Sequence, residues 1–169
     1  MFYGEIKKRD VANGPGVRVT LFVSGCTHRC KGCFNEATWD FEYGAPFTAE
    51  TEQEILEALA PDYVQGLTLL GGDPLEPANA AALLPLLKQM RERYPDKDIW
   101  CFTGDIYETL LEEKQPDKTA LLEYVDVLVD GPFIEAKRNL MLRFCGSENQ
   151  RLIDLKKTRE SGEITIWEG

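Results

Sequence analysis

Three of the chain's five cysteines lie within eight residues, at Cys26, Cys30 and Cys33, and its one histidine, His28, lies between the first two. Thiolates and imidazoles are common ligands of zinc, and thiolates hold iron-sulfur clusters. An odd number of cysteines with three of them clustered is typical of metal ligation rather than of a disulfide framework. The spacing therefore predicts a metal site on this loop.

Zinc and an iron-sulfur cluster make different demands on such a loop. A structural zinc site usually takes its ligands from two short segments that are separated in the sequence, and the chain has no second pair of closely spaced cysteines. A 4Fe-4S cluster takes one thiolate at each iron, so three cysteines leave one iron open to bind a substrate. We predict a 4Fe-4S cluster held by Cys26, Cys30 and Cys33, with a zinc-stabilised binding module as the alternative.

The remaining candidate ligands are predicted to have no role at the metal. His28 is expected to be a solvated loop residue, because cluster irons prefer thiolates. Cys101 lies in an apolar stretch and is expected to be a small buried core residue, and Cys145 is interpreted in the same way. No residues form an evident acid-base pair or nucleophile, which indicates that a cofactor carries the chemistry.

Four apolar segments are predicted to be strands that position these residues, at 17–25, 66–74, 98–104 and 125–133. They lead into the cysteine loop, into Gly71-Gly72-Asp73-Pro74, and into the short motifs TGD and DGPF. Helices are predicted over 48–61, with a capping box of Thr51 and Glu54, over 79–95, with a kink at Pro85, and over 105–114 and 118–125.

The alternation of nearly all-apolar strands with helices predicts the fold class. Such strands are typical of parallel β-α units, in which helices cover both faces of the sheet. A complete eight-stranded barrel needs about 200 to 250 residues, whereas the chain has 169. We therefore predict an α/β fold, a partial, open β/α barrel with a mostly parallel sheet, in a single domain over 1–169. The four motifs should meet where the parallel strands end.

Composition excludes several classes of function. A hydrophobic fraction of 43% with 28% charged residues is typical of a globular protein. The net charge of -10 would repel a phosphate backbone, so we expect no nucleic-acid partner. No apolar run approaches the roughly 20 residues of a membrane span, and the first ten residues lack the apolar core of a signal peptide. We therefore expect no membrane partner and a cytoplasmic location.

The C-x3-C-x2-C spacing of the three cysteines resembles the signature of the radical S-adenosylmethionine superfamily, and Gly71-Gly72-Asp73 resembles its glycine-glycine-acid motif. In that family the open iron of a 4Fe-4S cluster chelates S-adenosyl-L-methionine, and one electron cleaves it to methionine and a 5'-deoxyadenosyl radical. The resemblance implies that Gly71, Gly72 and Asp73 bind the methionine ammonium. Glycines that allow close backbone approach and an acceptor carboxylate suit that role.

The resemblance also implies further contacts to the cofactor. Gly32, Cys33 and Phe34 are expected to lie against it. Many family members have an aromatic residue where this chain has Gly32, so we expect Phe34 to shield the cluster and face the adenine. Asp130, in the DGPF motif, is expected either to accept a hydrogen bond from the ribose or the ammonium, or to be only a strand-end turn carboxylate.

Within the superfamily, the order and spacing of motifs from about residue 10 to 151 are similar to those of the activating proteins of anaerobic ribonucleoside-triphosphate reductase. The resemblance implies abstraction of a hydrogen from one glycine of that reductase, with electrons from a low-potential donor such as flavodoxin or ferredoxin. A radical enzyme for a small molecule, such as a deazapurine synthase, is the alternative within the superfamily.

Overall fold

The computed structural model describes residues 1–169 and contains one sheet of seven strands. The strands are β1 (Phe2–Asp10), β2 (Val17–Val23), β3 (Ala45–Pro46), β4 (Val64–Gly71), β5 (Asp98–Phe102), β6 (Val127–Asp130) and β7 (Arg151–Asp154). Their order across the sheet is β3-β1-β2-β4-β5-β6-β7. The five α-helices are α1 (Ala49–Ala58), α2 (Pro77–Arg93), α3 (Tyr107–Glu113), α4 (Pro116–Leu122) and α5 (Leu155–Ser161).

The four predicted strands are confirmed, and they form the parallel centre of the sheet. β2 pairs with β4, β4 with β5 and β5 with β6, all in parallel. The carboxyl ends of these strands therefore lie at one edge, as the sequence predicts.

The prediction of a mostly parallel sheet is wrong. β1 pairs antiparallel with both β2 and β3, and β7 pairs antiparallel with β6. The physical reason is the connection: only six residues join β1 to β2, which suffices for an antiparallel pair, whereas a parallel pair needs a crossover of a dozen residues or more. The sheet is also open, with β3 and β7 at its edges, and the curvature of a partial barrel stays a prediction.

Side chains alternate between the two faces of the central strands. Leu21, Leu69, Ile99 and Leu128 point to the face where buried residues of all five helices complete the main core cluster. Cys101 belongs to that cluster and is fully buried, which confirms its prediction as a core residue.

The four predicted helices are confirmed except at one cap, and α5 was not predicted. The N-cap of α1 is Thr48, whose side chain accepts from the amide of Thr51, while the Thr51 hydroxyl accepts from the amide of Thr48. The predicted box of Thr51 and Glu54 is therefore wrong, because the threonine hydroxyl fills the place of the usual Glu or Gln. α2 continues through Pro85. No helix is both long and apolar enough to cross a bilayer.

Candidate metal and cofactor site

The cysteine loop begins at the carboxyl end of β2, and backbone hydrogen bonds fix where it starts. The amide of Gly25 donates to Thr38 O at 2.7 Å, and the amide of Cys26 donates to Trp39 O at 3.3 Å. Thr38 and Trp39 belong to a short 3-10 helix that follows the loop. The loop is therefore held closed at its base while its cysteines remain half-buried.

A cavity of about 440 Å³ lies at the carboxyl edge of the four parallel strands. Its volume lies within the roughly 300 to 1,000 Å³ of ordinary ligand sites. The structure brings most of the predicted site residues to its wall, namely Cys26, Cys30, Cys33, Phe34, Gly71, Gly72 and Asp73. Their convergence from two strand ends that lie far apart in sequence is the main geometric finding at this site.

Two predicted residues lie outside the wall of this cavity. Gly32 has a φ of +76°, and a Cβ there would come within 3.4 Å of the side chains of Glu135 and Phe133. Asp130 is buried, and its carboxylate accepts from the guanidinium of Arg151 and from the amide of Tyr107. The geometry thus gives Asp130 a structural role at the end of β6, and its contact with a cofactor stays a prediction.

The glycine pair brings the end of β4 against the cysteine loop. A Cβ on Gly71 would lie 2.6 Å from Val23 O, and a Cβ on Gly72 would lie 2.5 Å from Gly25 O. The close approach allows the Gly72 amide to donate to Val23 O at 2.7 Å and the Asp73 amide to donate to Gly25 O at 2.8 Å. The motif therefore packs backbone on backbone, which only glycine permits at these positions.

Two residues that the sequence analysis did not identify also hold the loop. The Asn79 amide group donates to Ser24 O and Asp73 O, both at 3.0 Å. Glu76 accepts from the amide and the hydroxyl of Thr27, both at 2.7 Å. Both residues lie at the start of α2, so this helix connects the glycine motif to the cysteine loop.

His28 is not a solvated loop residue, and that prediction is wrong. Its Nε2 lies 2.9 Å from Asp73 Oδ2 and 3.2 Å from Asp105 Oδ1. Hydrogen bonds to Asp105 and Asp73 raise the pKa of His28 to about 10, against the opposing effect of burial. Lys118 in turn lies 3.1 Å from Asp105 Oδ2. The sequence analysis expected the motifs that carry His28, Asp73 and Asp105 to meet, but the motifs do not indicate which of their side chains pair.

Asp73 has more partners than His28. Its Oδ2 also accepts from the Thr103 hydroxyl at 3.0 Å and from the Gly104 amide at 2.9 Å, and its Oδ1 accepts from the Leu75 amide. With the side chain almost fully buried, this carboxylate links the glycine motif, the end of β5 and the cysteine loop.

The chemistry of the three thiols fits an iron-sulfur cluster. Burial is the largest cause that raises the pKa of the Cys26 thiol, to about 11, and the negative charges of Asp73 and Glu76 add to it. A coordinating metal cation overrides such a shift, since a thiol bound to it is deprotonated outright. The Cys26 thiol therefore suits a metal centre better than it suits a free thiolate, and Cys30 and Cys33 line the same cavity.

Another part of the cavity wall comes from the loop between β6 and β7. It contributes Phe133, Phe144, Cys145 and Gly146, and Phe34 packs against Phe133 with ring centroids 5.0 Å apart. Cys145 was predicted to be a core residue, but it also lines the cavity. In the sequence, the one signal for a position beside the cavity was the neighbouring Gly146. In the structure, a Cβ at Gly146 would lie 2.9 Å from the Phe34 ring.

Comparisons with known proteins agree with this geometry. A family model described as a 4Fe-4S single cluster domain matches residues 12–153. A protein of Vibrio cholerae is 46% identical over 152 residues, which cover 89% of this chain and 96% of the relative. A protein of Enterobacteria phage T4 is 44% identical over 154 residues (90% and 93%), and one of Escherichia coli K12 is 41% identical over 152 residues (89% and 96%). All three are named anaerobic ribonucleoside-triphosphate reductase-activating protein.

Proposed function

The chain belongs to the family of anaerobic ribonucleoside-triphosphate reductase-activating proteins, and from this premise we propose that it generates a glycyl radical on that reductase. It is an iron-sulfur enzyme that uses S-adenosyl-L-methionine. The observation that carries the proposal is the shared cavity, in which three thiols of one loop meet the Gly71-Gly72-Asp73 motif.

Cys26, Cys30 and Cys33 are the proposed ligands of a 4Fe-4S cluster with one open iron. When bound, the cluster supplies one electron that cleaves S-adenosyl-L-methionine to methionine and a 5'-deoxyadenosyl radical. The glycine of the reductase would then lose a hydrogen atom from its Cα, so that the products would be 5'-deoxyadenosine and a glycyl radical. The residues of this chain bind and orient the cofactor and keep water from the reacting atoms.

The rest of the cavity wall is proposed to bind S-adenosyl-L-methionine. Gly71, Gly72, Asp73 and Phe34 line the cavity. Backbone groups of the two glycines, together with Asp73, are proposed to bind the methionine end, and Phe34 is proposed to pack against the adenine. Gly32 and Asp130 lie outside the cavity wall and are proposed to assist cofactor binding from there. Gly32 does so by allowing the tight turn before Cys33.

Three further features belong to the proposal. Residues 1–169 act as one radical S-adenosylmethionine domain, because one core cluster joins the central strands to all five helices. A low-potential donor such as flavodoxin or ferredoxin supplies the electron. The protein works in the cytoplasm, where thiols stay reduced before the cluster is assembled.

Electron paramagnetic resonance tests the function. The reduced protein, mixed anaerobically with S-adenosyl-L-methionine and the reductase of the same organism, should produce a glycyl radical signal that requires both proteins. Cys30→Ala should abolish the signal and the iron content, whereas Cys101→Ala, at a core position away from the cavity, should keep the iron. Turnover of a free purine-like metabolite without any radical on the reductase would favour the small-molecule alternative.

A further inference from the structure

Residues 137–143, which we call the rim segment, form an ordered projection beside the cavity. The amide of Glu148 donates to Lys137 O at 2.9 Å, and the amide of Asn139 donates to Gly146 O at 3.2 Å. These bonds hold the base of the projection in a fixed position. Its tip nevertheless stays in solvent, with Leu140 76% and Met141 91% exposed. An ordered projection that exposes two large apolar side chains is typical of an interaction surface.

The charge of the rim segment is opposite to that of the chain. It contains Lys137, Arg138 and Arg143 and no acidic residue, although the net charge of the chain is -10. On the cysteine loop, the Lys31 side chain is 92% exposed and lies 3.9 Å from Glu135 Oε2 of the β6–β7 loop. The rim segment itself is therefore a positive stretch on a negative protein, which favours a negatively charged partner at this place.

The rim segment is continuous with the cavity wall. The same loop that carries it contributes Phe133 and Gly146 to the wall, and the guanidinium of Arg138 lies over the Phe34 ring at 5.3 Å. The rim segment therefore adjoins the cavity wall, next to the path of any segment that a macromolecule inserts into the cavity.

From these observations we propose that the rim segment is the docking surface for the glycyl-radical subunit of the reductase. The partner region is expected to carry acidic side chains around an apolar patch that receives Leu140 and Met141. This inference rests on the proposed function. It adds which face of the protein contacts the reductase, and it assigns that contact to positive and apolar side chains. The charges accelerate and orient the encounter, and the apolar tip supplies buried area.

A double variant, Lys137→Glu with Met141→Asp, tests the proposal. Both side chains are exposed, and neither donates or accepts a side-chain hydrogen bond, so the fold should be unaffected. Lys156→Glu with Leu111→Asp makes the same changes of charge and polarity at exposed positions of α5 and α3, outside the cavity wall, and is the matched control.

We expect the rim variant to bind the reductase subunit at least about tenfold more weakly than the control does in low salt. The difference should narrow at high salt, because exposed charges are screened. Iron content and the slow cleavage of S-adenosyl-L-methionine without reductase should equal those of the control. The glycyl radical yield, measured with dithionite as the reductant, should fall at limiting protein concentration.

Equal binding and equal radical yield in the two double variants would overturn the docking proposal. A loss seen only with flavodoxin or ferredoxin as the reductant, and not with dithionite, would assign the surface to the electron donor and would also overturn it. A wild-type protein that neither binds the reductase nor forms a radical on it would instead contradict the proposed function itself.

Discussion

At the scale of single residues, the Gly71-Gly72-Asp73 motif has a role that its resemblance to a ligand-binding motif does not reveal. Two backbone amides of the motif donate to carbonyls at the end of β2 and the start of the cysteine loop. The Asp73 carboxylate pairs with the imidazole of His28, which belongs to the cysteine loop. The motif thus positions the cysteines as well as bordering the cavity.

Gly72→Ala tests this positioning role. The added Cβ would lie 2.5 Å from Gly25 O and 2.8 Å from Thr38 O, and both are backbone atoms that cannot swing away. The cysteine loop must therefore shift, so we expect a loss of about 1 to 3 kcal/mol in stability and a markedly lower iron content after anaerobic reconstitution. Iron analysis and visible absorption measure the loss.

Gly162→Ala is the control for this substitution. Gly162 ends α5 with a φ of +76°, and nothing lies within 4 Å of its added Cβ. This change should cost about 1 kcal/mol through backbone strain alone and leave the iron content unchanged. A fully loaded Gly72→Ala protein would show that the close approach does not position the cysteines.

The residues of the site were predictable to the extent that their chemistry depends on local sequence. The cysteine spacing and the glycine pair are visible in short segments, and the structure brings both to one cavity. The role of His28 was not predicted, because the motifs that carry it and its two carboxylate partners do not indicate which side chains pair once the strand ends meet. The ion pair of Asp130 with Arg151 likewise joins β6 to a strand that the sequence did not indicate.

At the scale of elements, burial decides which strands the sequence predicts. β2, β4, β5 and β6 are apolar because they lie in the middle of the sheet, and all four were identified. β1 carries Glu5, Lys7, Lys8 and Arg9, since much of it is exposed near the edge, and β7 has only four residues. Their patterns are too polar or too short to indicate strands, and the missed antiparallel pairings follow from that.

The turn between β1 and β2 supports a prediction about pH. Asp10 accepts from the Ala12 amide, the Asn13 side chain and the Thr20 hydroxyl at 2.7 to 2.9 Å, and Ala12 and Asn13 line the cavity. Burial alone would raise the pKa of Asp10, but these hydrogen bonds hold it below the ordinary value of 3.8. The stabilisation is therefore present above about pH 4 and is lost as the pH falls through the lower folded-state value.

Asp10→Asn should accordingly be less stable than the wild-type protein at pH 7, by about 1 to 3 kcal/mol, since its amide cannot accept all three bonds. The difference should shrink below pH 4, as anaerobic thermal unfolding at several pH values would show. Asp62→Asn, at an exposed position without side-chain hydrogen bonds, serves as the control. A difference for Asp10→Asn that did not change with pH would contradict the assignment.

At the scale of the whole molecule, the two faces of the sheet are covered by different kinds of structure. Helices complete the core on one face. On the other face, Trp100 packs with Phe144 from the long loop and with Trp167 near the end of the chain. The cavity lies on this second face, where Phe102, Val129 and Phe144 form part of its wall. Residues far from the cysteines in sequence therefore help to shape the site.

Trp167→Ala tests whether the end of the chain supports the cavity. The Trp167 ring lies edge-on to Trp100 at 4.9 Å and 6.1 Å from the Phe144 ring, and Phe144 lines the cavity. Because Trp167 is half-buried, the cost should be about 1 to 3 kcal/mol, below the 3 to 5 kcal/mol typical of a buried tryptophan. A loosened Phe144 should weaken the binding of S-adenosyl-L-methionine by up to about tenfold in calorimetry. Iron content should not change, because the cysteine loop is anchored elsewhere. Ile164→Ala, at an exposed position near Trp167 in the sequence, is the control and should change neither stability nor cofactor binding. If Trp167→Ala bound S-adenosyl-L-methionine as tightly as Ile164→Ala does, Trp167 would not support the cavity.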